Sequence, residues 1–257
     1  MIAVIVPIYN TEKYLRETID SVICQTLSFA EHIRLILLDD ASTDGSFAIC
    51  EQYQKQYPKQ ILVKHYDTNQ GVSALRNEGV RIAGEMGDEL ITFLDSDDKL
   101  ADDAMEKAVQ YFDAHEDVFV AAIGIRYFDA YEGEQRLNWR FEKTDVVDIK
   151  KDYTYPHYYV GGVFLRHAVL DELHFDESLS FWEDALAVNQ VIVSQGKYGL
   201  IAGTHYYYRK REDESSLVDM AWHKKERYTT LLSSGYGQLF AYSRKKHHRI
   251  IPYVQYM

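Results

Sequence analysis

The chain has 257 residues, of which 46% are hydrophobic and 26% charged, and a formal net charge of −12. This composition suits one large globular domain, or a domain with an appendage, and excludes disordered, collagen-like and disulfide-stapled proteins. The acidic balance disfavours general nucleic-acid binding. No apolar run reaches the ~20 residues that cross a bilayer. The start, Met1-Ile2-Ala3-Val4-Ile5-Val6-Pro7, lacks the basic region and cleavage site of a signal peptide, so a cytoplasmic protein is expected.

Residues 2–9 form an apolar run ending in a polar turn, the pattern of a buried strand. Thr11 is placed to cap a helix carrying Tyr14, Leu15, Thr18, Ile19, Val22 and Ile23 at helical spacing. A second buried strand spans 33–38 and ends in Asp39-Asp40. Ser42 or Thr43 is then expected to cap a helix to about Tyr57, stopped by Pro58. A third strand at 61–65 leads through a turn at 69–71 into a helix to about Ala83. A fourth at 89–94 ends in Asp95-Ser96-Asp97-Asp98 and precedes a helix at 101–115. Cys24 and Cys50, the only cysteines, fall in helical segments and are expected to be buried free thiols.

Four alternations of strand and helix in about 115 residues define a doubly wound, Rossmann-like α/β domain with a mostly parallel sheet. After residue 116 the rhythm changes. A longer strand is expected at 118–127, short mixed or antiparallel strands at 135–139 and 146–149, a helix at 183–195 and a late strand at 200–208. Residues 1–115 thus read as one half of a domain, 116–220 as the other, and 221–257 as a helical tail. The tail, with Lys224, Lys225, Arg227, Arg244, Lys245, Lys246 and Arg249 against Glu226 alone, is basic where the body is acidic. It carries no end signal and reads either as a helical appendage on the acidic body or a connector to a further region, or as a contact for an anionic partner such as a phosphate-rich polymer or the inner membrane surface.

Three strands run straight into Asp- or Asn-rich turns, and open α/β sheets bind ligands beyond the carboxyl ends of their strands. There is no GxGxxG or GxxxxGK[ST] turn, which argues against a dinucleotide cofactor and a P-loop nucleotide hydrolase. The ten histidines show no zinc spacing, and no GxSxG elbow is present. Crowded carboxylates at Asp95, Asp97 and Asp98 repel one another, a cost relieved by a cation. Oxygen ligands suit Mg2+ or Mn2+, which commonly rest on one or two carboxylates plus substrate phosphates. Glu183 and Asp184, beside Trp182, open a helix. A partly desolvated carboxylate there gains the proton affinity of a general base, although acids in a first helical turn also suit the helix dipole. Arg209 and Arg211, with His205 upstream, supply cations after the late strand.

Taken in order, Val6-Pro7-Ile8-Tyr9-Asn10, Asp39-Asp40-Ala41-Ser42-Thr43-Asp44-Gly45-Ser46, Asn69 to Asn77, Asp95-Ser96-Asp97-Asp98 and Glu183-Asp184 resemble family 2 glycosyltransferases of the GT-A fold, inverting and metal-dependent, over about residues 1–215. The stretch from Tyr208 to Ser216 is more particularly similar to bacterial enzymes of teichoic acid and capsular polysaccharide synthesis. The resemblance implies that Pro7, Tyr9 and Asp40 frame a uracil and ribose and that Asn69 and Arg76 complete the nucleotide pocket. It implies that Asp95 and Ser96 lie by the ribose or donor sugar and that Asp97 holds Mn2+ or Mg2+. Asp184 would be the catalytic base with Glu183 beside it. Arg209 and Arg211 would face the diphosphate or an anionic acceptor, with His205 in support. Ala41 stands where the family usually has Gly. The implied reaction moves a sugar from a UDP-sugar to a glycan, polyol-phosphate or lipid-linked acceptor, with residues 1–115 as the nucleotide-binding half and 116–220 as the acceptor-binding half. A catalytically silent nucleotide-sugar-binding module and a two-carboxylate glycoside hydrolase are the alternatives.

Overall fold

The structure, a computed structural model, describes residues 1–135, 138–152, 157, 159–179, 182–211, 237–239 and 241–242. The elements run β1 (Ile2–Ile8), α1 (Glu12–Ile23), α2 (Phe29–His32), β2 (Ile33–Asp39), α3 (Ser46–Gln56), β3 (Ile61–His65), α4 (Val72–Glu85), β4 (Leu90–Phe93), β5 (Lys99–Leu100) and α5 (Ala104–Ala114). They continue as β6 (Val120–Asp129), β7 (Gly133–Glu134), β8 (Asp145–Asp148), β9 (Val163–Arg166), α6 (Glu183–Gln195) and β10 (Lys197–Lys210).

All ten strands join one sheet in the order β3-β2-β1-β4-β9-β6-β10-β5, with β7 on β6 and β8 on β10. From β3 to β4 every pairing is parallel, with Val4 of β1 opposite both Leu35 and Thr92. β9 is antiparallel to both β4 and β6, while β10 is parallel to β6. Strand alternation divides the core between the two faces. Ala3 and Ile5 point to the side covered by α4 and α6, whereas Ile2, Val4, Val6 and Ile8 point to the side covered by α1, α3 and α5. Burial on both faces is why β1 and β2 read as unbroken apolar runs. Gly79 lets α4 lie directly on β1, because a Cβ there would fall 2.3 Å from Ile5 Cγ2.

Several boundaries differ from the sequence reading. Thr11 sits at the N-terminus of α1 but makes no side-chain cap bond. α3 begins at Ser46 behind Gly45, because Ser42 and Thr43 are committed to the turn below. Near the short strand expected at 135–139, the described residues place the antiparallel β7 at Gly133–Glu134. Residues Asn138–Phe141 form a 3-10 turn, with Asn138 bonding both polar groups of Ile125. Cys50 is buried as expected, but Cys24 is exposed at the C-terminal end of α1. Of the tail, residues 237–239 and 241–242 are helical, and Leu239 is buried in the core beneath α4 and α6. Its basic residues lie outside the described residues, as do 212–216 of the cationic loop. Among the described residues, no helix is long and apolar enough to cross a membrane.

Candidate active site

The carboxyl ends of β1, β2, β4 and β10 build the site. Pro7 is buried in β1 opposite Leu38, and Tyr9 projects from the strand's end, 51% exposed. The following turn is lashed to the turn after β2. The Asn10 amide donates to Ser42 Oγ, Asn10 Oδ1 accepts from the Thr43 amide at 2.8 Å, and the Thr11 amide donates to Ser46 Oγ. Ala41 takes φ +59°, a left-handed conformation, which explains why glycine is the usual occupant.

Asp40 is 2% exposed, and its two carboxylate oxygens accept the amides of Gln70 at 2.6 Å and Gly71 at 2.9 Å. It therefore fixes the turn that precedes α4, and Asn69 Nδ2 approaches its backbone carbonyl at 3.4 Å. Asp39 accepts from His65 Nδ1 at 2.7 Å and from the Ser42 amide at 3.3 Å.

At the end of β4, Asp95, Ser96, Asp97 and Asp98 form a tight turn held from β10. The Tyr206 hydroxyl donates to Asp98 Oδ2 at 2.7 Å and accepts the Asp95 amide at 3.1 Å. The Arg209 amide donates to Asp98 Oδ1 at 2.7 Å, and Arg209 Nε to the Asp97 carbonyl at 2.6 Å. Ser96 is buried, its carbonyl accepting from Thr18 Oγ1. Burial, then Asp97 and Asp95, push the Asp98 carboxyl well above its ordinary range. Burial, then Asp98, push the Tyr206 phenol up as well.

Two expected residues are placed differently from the sequence reading. Arg209 is turned inward. It is 7% exposed, its guanidinium bonds Asp129 and Glu17 as well as the Asp97 carbonyl, and it lies between the rings of Tyr14 and Phe128. Arg209 is thus a buried clamp. His205 lies apart from the aspartates. Its ring neighbours Tyr207, and the charges around it are Arg126, Glu134, Asp103 and Lys107. Burial lowers its proton affinity. Arg211, one residue beyond β10, does reach the turn, donating from Nη2 and Nε to Asp97 Oδ2 at 2.6 and 3.0 Å. Tyr206, Glu17 and Asp129 belong to this arrangement and were not singled out by sequence. The run of cations that follows Tyr206 is a signal that could have drawn attention to it, whereas no sequence pattern marks Glu17 or Asp129.

Arg76 joins the two acidic motifs. It is 4% exposed, and donates from Nη2 to Asp95 Oδ1 at 3.0 Å and from Nη1 to Glu183 Oε1 at 2.9 Å. Burial works against its charge, but Asp95, Glu183 and Asp184 outweigh that and hold its proton. Both of these bonds commit the guanidinium to carboxylates. The bridge draws the first turn of α6 to the end of β4. Trp182 precedes that helix with φ +71°, and its carbonyl accepts the Leu186 amide. Asp184 Oδ1 accepts the Ala185 amide at 2.7 Å. Burial, then the neighbouring Glu183, raise the Asp184 carboxyl to about 7, against the pull of Arg76. An acid poised there changes protonation near neutral pH, as a general base requires.

Among the described residues, no three His, Cys, Asp or Glu side chains converge on one point. The donor set still fits a hard divalent cation. Asp97 and Asp95 offer oxygen at a turn crowded with negative charge, and Mg2+-type ions need only one or two carboxylates when phosphates complete the shell. Burial, together with Asp95, raises the Asp97 carboxyl despite Arg211. An open groove of about 510 Å3 between α1, β5 and β10, lined by Glu17, Asp20, Lys99 and Tyr207 among others, takes in none of the expected site residues.

A sheet parallel through β4 and mixed beyond it, with acidic turns at the strand ends and a basic strand exit, defines a GT-A-like α/β protein. Residues 3–174 match the description "Glycosyl transferase family 2", and the chain belongs to that family. It is 42% identical, over its whole length, to the Bacillus subtilis "Minor teichoic acid biosynthesis protein GgaA" and covers 58% of that protein. It is 36% identical over 99% of its length to the B. subtilis "Minor teichoic acid biosynthesis protein GgaB", of which it covers 28%. The chain thus spans between about a quarter and three-fifths of these relatives. Its fold matches a crystal structure of S. aureus TarS in complex with UDP-GlcNAc, with a TM-score of 0.77 at 22% identity, covering 99% of this chain and 72% of that one. It also matches a Pyrobaculum calidifontis mannosyltransferase in complex with GDP-Man and Mn2+, with a TM-score of 0.70 at 18% identity, covering 99% and 68%.

Proposed function

We propose that the chain transfers a sugar from a UDP-sugar to a hydroxyl of a bacterial cell-surface polymer of the teichoic acid kind, with inversion at the anomeric carbon. The observation that carries this reading is the Arg76 bridge. It brings the Glu183–Asp184 turn, with a carboxyl poised near neutrality, to the acidic turn after β4. The names of the B. subtilis relatives support the polymer, and the UDP-GlcNAc complex of the TarS structure supports the donor class.

In the proposed reaction the ionised Asp184 accepts the proton of the acceptor hydroxyl as that oxygen bonds the anomeric carbon. The bond from that carbon to the diphosphate breaks, and its electron pair leaves with the diphosphate. One displacement from the opposite face inverts configuration. Tyr9, beyond Pro7, and the turn that Asp40 and Asn69 hold would receive the nucleoside. Asp95 and Ser96 would lie by the donor sugar, and Arg211 by the diphosphate. Asp97, with Asp95 beside it, would hold Mn2+ or Mg2+. When bound, such an ion offsets charge on the departing diphosphate. Arg76 would act as a positioning residue through Asp95 and Glu183. Tyr206 and Arg209 would hold the turn in shape. A cytoplasmic location at the inner membrane face goes with this reading.

The test is turnover. The protein is incubated with a panel of UDP-sugars, with Mn2+, Mg2+ or chelator, and with a poly(alditol phosphate) acceptor. Metal-dependent transfer with an inverted linkage is expected. UDP binding without turnover on any donor or acceptor would leave a binding module instead.

A further inference from the structure

The turn after β4 is gripped three times from β10 and its exit, and the grips differ. Tyr206 and Arg209 are buried, and their bonds to Asp98, the Asp95 amide and the Asp97 carbonyl are interior contacts. Arg211 stands outside the strand, and its side chain is 20% exposed. Both of its bonds to the turn fall on a single atom, Asp97 Oδ2. Its guanidinium carbon also lies 5.1 Å from the centre of the Tyr14 ring, a second surface on which a cation can rest.

We propose that Arg211 is an exchangeable occupant of the cation position on Asp97, displaced by the divalent ion and taken up by the donor diphosphate. The inference rests on the reading above that Asp97 holds the metal. A guanidinium 2.6 Å from Asp97 Oδ2 and a divalent cation cannot share that oxygen, because like charges at such separation repel strongly. A displaced Arg211 needs an anion, and a diphosphate arriving with the ion supplies one matched to the guanidinium fork. Metal alone must displace Arg211 without that compensation. Metal and nucleotide together do not. The exchange therefore makes the acidic turn a poor site for free metal and a good one for the metal–nucleotide pair. No bond is made or broken; one ion pair replaces another.

The test measures binding only. Mn2+ alone is titrated into the full chain, with free Mn2+ followed by its electron paramagnetic resonance signal, and UDP is then titrated at saturating Mn2+. Arg211→Gln is expected to tighten Mn2+ alone by about tenfold, the gain expected if the arginine occupies nine-tenths of wild-type molecules. The same variant is expected to weaken UDP with Mn2+ by about tenfold through loss of the charge-assisted phosphate contact. Arg211→Lys, which keeps the charge but not the fork, should fall between on both measures. If Arg211→Gln leaves Mn2+ affinity unchanged while Asp97→Asn abolishes it, the exchange is refuted and the metal reading stands. If Asp97→Asn binds Mn2+ as the wild type does, the metal reading fails and the exchange fails with it.

Discussion

Replacing Asp184 by Asn should make the protein both slower and more stable, and the stability gain should depend on pH in a defined way. The Asn side-chain oxygen can still accept the Ala185 amide, so geometry is retained while the charge is removed. In the folded chain the Asp184 carboxyl is raised from an ordinary 3.8 to about 7 by burial and by Glu183. A raised carboxyl favours folding most below 3.8, and that contribution is lost as pH rises through 7, where ionising the folded protein becomes unfavourable. Each pH unit between those limits is worth about 1.4 kcal/mol, which caps the cost at about 4 kcal/mol. Solvent screening at a carboxylate that is not fully enclosed brings the expected figure to about 2 kcal/mol. Urea unfolding of both proteins at pH 4, 6 and 8 should show a gap near zero at the lowest pH. It should widen in favour of the variant and level off above 7. Turnover should fall by roughly 10²- to 10⁴-fold, the usual worth of a general base. The wild-type rate should rise with pH through an acid limb near 7. A stability gap that does not change with pH, or near-normal turnover, would refute the reasoning.

Three further outcomes follow from other contacts. Arg76→Gln leaves Asp95 and Glu183 without their buried cation and should cost about 3 kcal/mol in urea unfolding; a loss under about 1 kcal/mol would contradict the bridge. Asp40→Asn can serve only one of the Gln70 and Gly71 amides, so about 1 to 2 kcal/mol should be lost. Faster hydrogen exchange at those two amides should accompany it, and unchanged exchange would return Asp40 to a passive role. Gly79→Ala drives a methyl toward Ile5 and should destabilise by about 1 to 3 kcal/mol in thermal melts, with no gain from the better helix former; a stabilised variant would mean that α4 can lift away.

The parallel half of the sheet was legible because its strands are buried on both faces and so appear as apolar runs ended by acidic turns. The helix at 183–195 was read to the residue, since Trp182 and Gly196 break the pattern on either side. β9 was missed. It is four residues long, and only its antiparallel fit between β4 and β6 makes it a strand. Tertiary demand likewise shapes the end of the segment expected as a strand at 135–139, where Asn138 is drawn onto the backbone of Ile125 and opens a 3-10 turn. Among site residues, the sequence marked most of the charged groups but not their pairing. Arg209 and Arg211 read alike as cations facing a diphosphate or an anionic acceptor. Yet the three-dimensional partners Glu17 and Asp129, 192 and 80 positions away in sequence, turn the first into a clamp, and Asp97 holds the second.

The irregularity within β10 has a consequence for how this chain can change length. Ile201 pairs with Ile123, but the next partner, Gly124, meets His205, so residues 202–204 are looped out between consecutive positions of β6. Side chains alternate along a strand, and a shift of one residue moves every later one to the opposite face. Regular pairing resumes at His205 and runs to Lys210, and this register sets the Tyr206 hydroxyl and the Arg209 amide on the acidic turn. The looped residues can give or take up length without shifting it, at the expense of the bond from the Thr204 hydroxyl to Asp103. A residue inserted between Tyr206 and Arg209 has no such slack and would move Arg209 and Arg211 off the turn. Changes of length in β10 should accordingly be tolerated at 202–204 and not beyond His205.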